Sequence, residues 1–171
     1  MKKVFLYSLK HSIPILISFM PLGIAYGILM ETAGYDFRWA GACSLFVYAG
    51  SLQFLMVTFF AGGVSLVAVS IMALLLNSRH IFYGLPFIEK WREYGGWKYL
   101  LIFTLTDEAF SLHCSNSFED GNPKHKMFSH IFDAILIMFY WFAFSIIGAI
   151  AGSYININTE GIDFALTALF I

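Results

Sequence analysis

Asp107 and Glu108 stand side by side within an apolar stretch from about Tyr99 to Phe118, where a carboxylate is among the costliest groups to place in a membrane. Read as one helix, the stretch sets Thr104, Asp107, Glu108, Ser111 and Ser115 at i, i+3, i+4, i+7 and i+11, a polar stripe on an apolar cylinder. Carboxylates in that position turn toward a bundle interior or a watery cavity, where they hold substrate, relay protons or pair with a cation. The run Asn77-Ser78-Arg79-His80 offers such a cation. A planar guanidinium suited to a carboxylate stands there beside an imidazole, the side-chain type whose unperturbed pKa lies near neutrality. The plainer alternatives are a structural Arg79–Asp107 pair and a snorkelling arginine at a capped helix end.

Other chemistry-bearing positions are weaker. Gln53, in Tyr48-Ala49-Gly50-Ser51-Leu52-Gln53-Phe54, must find hydrogen-bond partners deep in an apolar run, and a packing amide is as good a reading as a substrate contact made with Ser51. Gly41, Ser44, Tyr48 and Ser51 recur at helical spacing and mark a face turned to protein or a cavity. Pro21 precedes Gly23 and Gly27, a G-x-x-x-G pair that lets a second helix approach closely. The other reading of that stretch is a locally unwound helix whose backbone groups face substrate. Asp133 reads as a first-turn charge at the start of the last long helix.

Cys43 and Cys114 read as buried packing, and His113 with Cys114 lacks a companion ligand set, so neither a metal nor any other cofactor is expected. There is no nucleophile elbow, phosphate loop or dinucleotide fingerprint, so ATP hydrolysis would need another protein.

The elements that position these residues follow from composition. Of 171 residues, 59% are hydrophobic and 12% charged, against roughly 25% charged in soluble domains. The net charge of −1 suggests no nucleic-acid partner. Lipid is the natural solvent, and the expected fold is an all-α integral membrane protein. It is a polytopic helical bundle of about five to six hydrophobic segments, one of them short, re-entrant or broken, in a single transmembrane domain over residues 1–171.

Ser12–Met30 can cross a bilayer, as can Trp39–Phe60, whereas Val64–Ser78 beyond Gly62-Gly63 is short. The segment at Tyr99–Phe118 carries the carboxylates, and Ala134–Tyr154 is a clear span. A further apolar run opens at Phe164, so the chain is expected to be a piece of a longer protein, ending within a hydrophobic segment.

Lysine and arginine accumulate on cytoplasmic loops. A full crossing by the third segment puts Lys2, Lys3, Lys10, Lys124 and Lys126 against Arg38, Lys90, Arg92 and Lys98, which discriminates little. A half-helix that turns back gathers Arg79, Lys90, Arg92 and Lys98 with Lys2, Lys3 and Lys10, and leaves Arg38, Lys124 and Lys126 outside. Both place the amino terminus in the cytoplasm.

Pro21–Gly27 (PLGIAYG), Tyr48–Phe54 (YAGSLQF), Asn77–Gly84 (NSRHIFYG) and Thr106–Phe110 (TDEAF) occur in that order over most of the chain. On these motifs the chain resembles the AzlC family of branched-chain amino acid exporters. The resemblance implies export of branched-chain amino acids or close analogues across a prokaryotic plasma membrane, with a small hydrophobic AzlD-type partner subunit. A proton- or substrate-driven secondary exporter is then the leading reading, with the bilayer and a small amino acid as its other partners. Two rivals stand beside it. One is an assembly subunit whose small-residue faces serve only helix association, including oligomerisation. The other is an intramembrane enzyme using Asp107, Glu108 and His80 as acid and base.

Overall fold

The computed structural model describes residues 1–62 and 64–154, and the regular structure among the described residues is helical, with no strand. The chain runs α1 (Lys2–His11), α2 (Ile13–Thr32), α3 (Phe37–Phe46), α4 (Gly50–Gly62), α5 (Leu66–Asn77) and α6 (Arg79–Gly84). A 3₁₀ turn at Leu85–Phe87 leads to α7 (Ile88–Arg92), followed by α8 (Trp97–Phe103), α9 (Asp107–Ser115) and α10 (Pro123–Tyr154). Among the described residues three helical runs are long and apolar enough to cross a membrane: Ile13–Thr32, Leu66–Arg92 and Pro123–Tyr154. The all-α membrane architecture expected from composition is therefore realised. The apolar run expected from Phe164 lies outside the described residues.

Several expected segments are broken where local chemistry competes with the helix. Trp39–Phe60 is not one helix, because α3 ends at Phe46 and Tyr48 takes φ +43° before α4 begins. A bulky residue in that left-handed region costs about 1–2 kcal/mol, and the stripe from Gly41 to Ser51 is cut there. Tyr99–Phe118 is likewise two helices. Thr104 donates its hydroxyl to Leu100 O at 2.8 Å and closes α8. Thr106 then turns extended as the N-cap of α9, accepting Ala109 N–H at 3.4 Å. Asp107 and Glu108 thus occupy the first turn of a new helix, where its dipole favours negative charge. They do not lie on the middle of a stripe shared with Thr104.

The third apolar segment does not stop at Ser78, since helical backbone continues with interruptions to Arg92. Proline at position 21 does not unwind α2, which stays helical from Ile13 to Thr32. The last span starts earlier than expected. Pro123, pre-set for a first helical position, opens α10 right after Gly121 (φ +78°) and Asn122. Asp133 consequently sits well inside α10, fully buried, and not in its first turn.

The backbone forms two compact units, Met1–Ser18 with Ser78–Tyr140, and Phe19–Asn77 with the described residues from Trp141. The first is centred on Phe87 stacked on Trp91 at 4.5 Å, with His113 edge-on to Trp91 at 5.2 Å. In the second, Tyr26 lies 6.0 Å from Trp141 and 5.7 Å from Phe54. Such ring pairs each add about 0.5–1.5 kcal/mol beyond the area they bury.

α2 meets α10 in the second unit through backbone. A Cβ on Gly23 would lie 2.7 Å from Phe144 Cβ, and one on Gly27 would overlap Ser145 O and Ala149 N. From the other side, Gly148 abuts Ile24, and a Cβ on Gly152 would lie 3.3 Å from Ile28 Cα. Two G-x-x-x-G faces therefore pack on each other, as small residues allow where lipid supplies no hydrophobic drive between helices.

Candidate functional site

In the first unit, Arg79 at the start of α6 reaches Asp107 at the start of α9, with Nη1 2.5 Å from Oδ2. The side chains are 38% and 39% exposed, so the pair is open to a competing charge. Tyr83, one turn beyond Arg79, lies against both partners and stacks on Phe110 at 5.0 Å, which ties α6 to α9. Glu108 follows Asp107, half-buried, in the same turn.

His80, edge-on to Tyr83 at 5.8 Å, lines a cavity of about 710 Å³. Its wall is mostly apolar, with Ile81, Leu85, Phe87, Ile88, Trp91, Ile102 and Leu105, and Arg92 and Lys98 join His80 as its polar lining. A guanidinium–carboxylate pair can open around a zwitterion, giving the guanidinium a new carboxylate and the carboxylate an ammonium.

The rest of the expected set disperses. Thr104 is buried with its hydroxyl spent on its own helix, and Ser111 is exposed. Asn77 closes α5 and Ser51 lies in the first turn of α4, both half-buried and both in the second unit. Gln53, also in that unit and fully buried, is engaged by protein. It accepts the Trp141 indole N–H at 2.9 Å and donates to Ser44 Oγ at 3.3 Å, while Ser44 donates to Ser145 Oγ at 2.9 Å and Ser145 to Trp141 O at 2.7 Å. That network occupies both the carbonyl and the amino end of the Gln53 side chain. Gly50 lies against the Trp141 ring, 3.4 Å from where its Cβ would be. Cys43 is half-buried and Cys114 exposed, both as free thiols.

A second polar cluster in the first unit was missed from sequence. Asp133 Oδ2 accepts Asn116 Nδ2–H at 2.8 Å and faces His11 Nδ1 at 3.2 Å, and Asn116 also exchanges hydrogen bonds with Ser129. Beside it, His113 and His130 set their Nδ1 atoms 3.1 Å apart, both rings buried. Ser129, His130, Asp133 and Tyr140 form a buried stripe at helical spacing on α10. Gly121-Asn122-Pro123 was the available signal, since moving the helix start there exposes the stripe. Among the described residues no group of three or more His, Cys, Asp or Glu could hold a metal ion.

Outside the membrane-spanning segments, Asp120 is held below the usual carboxylate range, chiefly by its hydrogen bond to the His125 ring at 2.5 Å and also by the Asn122 N–H. Burial raises the Tyr94 hydroxyl, with Glu93 adding to it.

A family model described as AzlC protein matches residues 14–155. The chain is 38% identical over 161 residues to the branched-chain amino acid transport protein AzlC of Bacillus subtilis, covering 94% of this chain and 63% of that protein. It is 34% identical over 170 residues to an uncharacterized membrane protein of Helicobacter pylori, covering 99% and 73%. Identity to the inner membrane protein YgaZ of Escherichia coli is 27% over 175 residues, covering 98% and 70%. The chain thus spans less than two thirds of the length of the Bacillus relative. No solved structure matches it significantly.

Proposed function

The chain belongs to the AzlC family of membrane proteins, and on that premise we propose that it is the translocating subunit of an exporter of branched-chain amino acids. In this reading leucine, isoleucine, valine or close analogues leave a prokaryotic cell across its plasma membrane. Export is driven by a proton gradient, the amino terminus is cytoplasmic, and a small AzlD-type subunit completes the system. The name of the Bacillus relative supports the substrate class, and Lys2, Lys3 and Lys10 before the first span support the orientation.

The observation that carries the reading is the accessible Arg79–Asp107 pair next in sequence to the His80 cavity. The substrate carboxylate takes the Arg79 fork and its ammonium takes Asp107. Its branched side chain enters the apolar cavity, where each buried methylene contributes about 0.8 kcal/mol. Glu108, Thr104, Ser111 and Asn77 have no assigned substrate contact in this scheme.

A scaffold reading is favoured by one observation, that the Gly23/Gly27 face and Gln53 are both consumed by packing. Efflux of labelled leucine and valine from proteoliposomes holding the complete system separates the two. The exporter reading expects Arg79→Gln and Asp107→Asn each to lower flux at least tenfold at equal reconstituted protein. Wild-type flux in both variants would remove the proposed binding pair. Absence of flux from the parent system would favour the scaffold, and chemical conversion of the amino acid would point to an enzyme.

A further inference from the structure

The cluster at His11 and Asp133 plays no part in the substrate scheme, yet its hydrogen bonds can be assigned by donors and acceptors. Ser115 Oγ carries one hydrogen, and three acceptors stand within its reach: Ser111 O at 3.0 Å, Leu112 O at 3.1 Å and His11 Nε2 at 3.1 Å. When that hydrogen turns to a carbonyl of α9, His11 Nε2 carries hydrogen and donates to Oγ; when it turns to Nε2, the ring nitrogen is bare. His11 Nδ1 stands 3.2 Å from Asp133 Oδ2, and two lone pairs cannot face each other there, so a proton lies between them. In the first arrangement the two side chains hold one proton more than a neutral imidazole and a carboxylate, and in the second they do not, so the same heavy-atom positions accommodate a loaded and an empty state.

We propose that the His11–Asp133 pair is a proton-binding site, loaded through the partly exposed edge of His11. The inference rests on the proton-driven export reading and says where the driving proton resides, away from Asp107 and Glu108. Asp133 is fully buried and its Oδ1 has no hydrogen-bond partner among the described residues, and a buried carboxylate is costly unless a cation stands beside it. His11 retains 16% exposure, which gives the proton a way in. Around the pair stand Tyr7, stacked on His11 at 5.2 Å, Lys90 on α7, Tyr94, His113 on α9, and Lys126, His130 and Tyr140 on α10, with Glu119 paired to Lys126.

Release of the proton has a structural consequence. The imidazole keeps Nδ1–H for Asp133 and presents a bare Nε2 to Ser115, whose hydroxyl must then leave its carbonyls and turn to donate. Ser115 ends α9, and Asp107, the partner of Arg79, begins it, about 12 Å away at 1.5 Å per residue. One short helix thus connects the proton site to the substrate pair.

The test uses the full chain in lipid vesicles, with Asp133→Asn and His11→Asn variants that match the parent in thermal unfolding. Infrared difference spectra across a pH series should show a buried carboxyl band in the parent that moves together with the His11 ring signals. Asp133→Asn should lose the band, and His11→Asn should shift it. A parent with no such band, or a band that survives in Asp133→Asn, overturns the assignment. In efflux from vesicles with the complete system, the parent's flux should vary several-fold with pH and either variant's by less than about twofold. A parent-like pH profile in both variants overturns the coupling role. If the parent shows no efflux at all, the export reading fails while the spectra still decide the proton site. Asn at 133 keeps the amide oxygen that accepts from Asn116, and His11→Asn leaves Asp133 in place, so loss of folding in one variant still leaves the other to decide.

Discussion

Replacing Gly27 by alanine tests the close approach of α2 and α10. The new methyl carbon would overlap Ser145 O and Ala149 N and lie 2.8 Å from the Gly148 carbonyl carbon. Restoring carbon–carbon contact to about 3.6 Å requires the helices to part locally by about 0.8 Å, and a gap of that size forfeits about a quarter to a half of each dispersion contact along the seam. Overpacking costs about 1–3 kcal/mol, and alanine returns up to about 1 kcal/mol in helix propensity. A net loss of up to about 2 kcal/mol corresponds to a fall in Tm of up to roughly 8 °C for a chain of this size. Gly84→Ala is the internal control, because nothing among the described residues lies within 4 Å of the added carbon. Thermal unfolding of parent and variants in the same detergent, followed by loss of the monodisperse peak, reads the difference. If Gly27→Ala unfolds at the same temperature as Gly84→Ala, the backbone seam is not where α2 is held.

Gln53→Leu should destabilise the chain by about 1–3 kcal/mol by orphaning the Trp141 N–H and a Ser44 contact, and unchanged thermal unfolding would show that the network contributes nothing. Arg79→Lys keeps the charge but loses the fork, so leucine affinity should fall about tenfold or more; unaltered binding argues against a bidentate carboxylate. Asp120 has a depressed pKa, so its contact with His125 supports the loop before α10 above the ordinary aspartate value of about 3.9 and is lost as pH falls through the lower folded value. His125→Ala should move the Asp120 titration back up toward that ordinary value, as read by carboxyl NMR shifts, and an unmoved titration would mean that other contacts hold it.

The sequence by itself determined the solvent and the element type. Uncharged runs such as Ser12–Met30 and Ala134–Tyr154 can satisfy their backbone in lipid only as helices, whatever their neighbours are. It also marked Gly23 and Gly27 as a place for close approach, and Arg79 and Asp107 as groups needing opposite charge, because both requirements belong to the residue itself. Where the helices break was decided by competition between hydrogen bonds a few residues apart. Thr104 turns its hydroxyl back on Leu100 and Thr106 caps the next helix, so an apolar run that hydropathy reads as one span becomes α8 and α9. Partners were decided only by tertiary structure. His11 and Asp133 are separated by 122 positions and Gln53 and Trp141 by 88, distances over which periodicity carries no information. Whether Asp133 is a cap or a buried acid depends on which helix face α1 and Asn116 come to cover, and that is settled by packing.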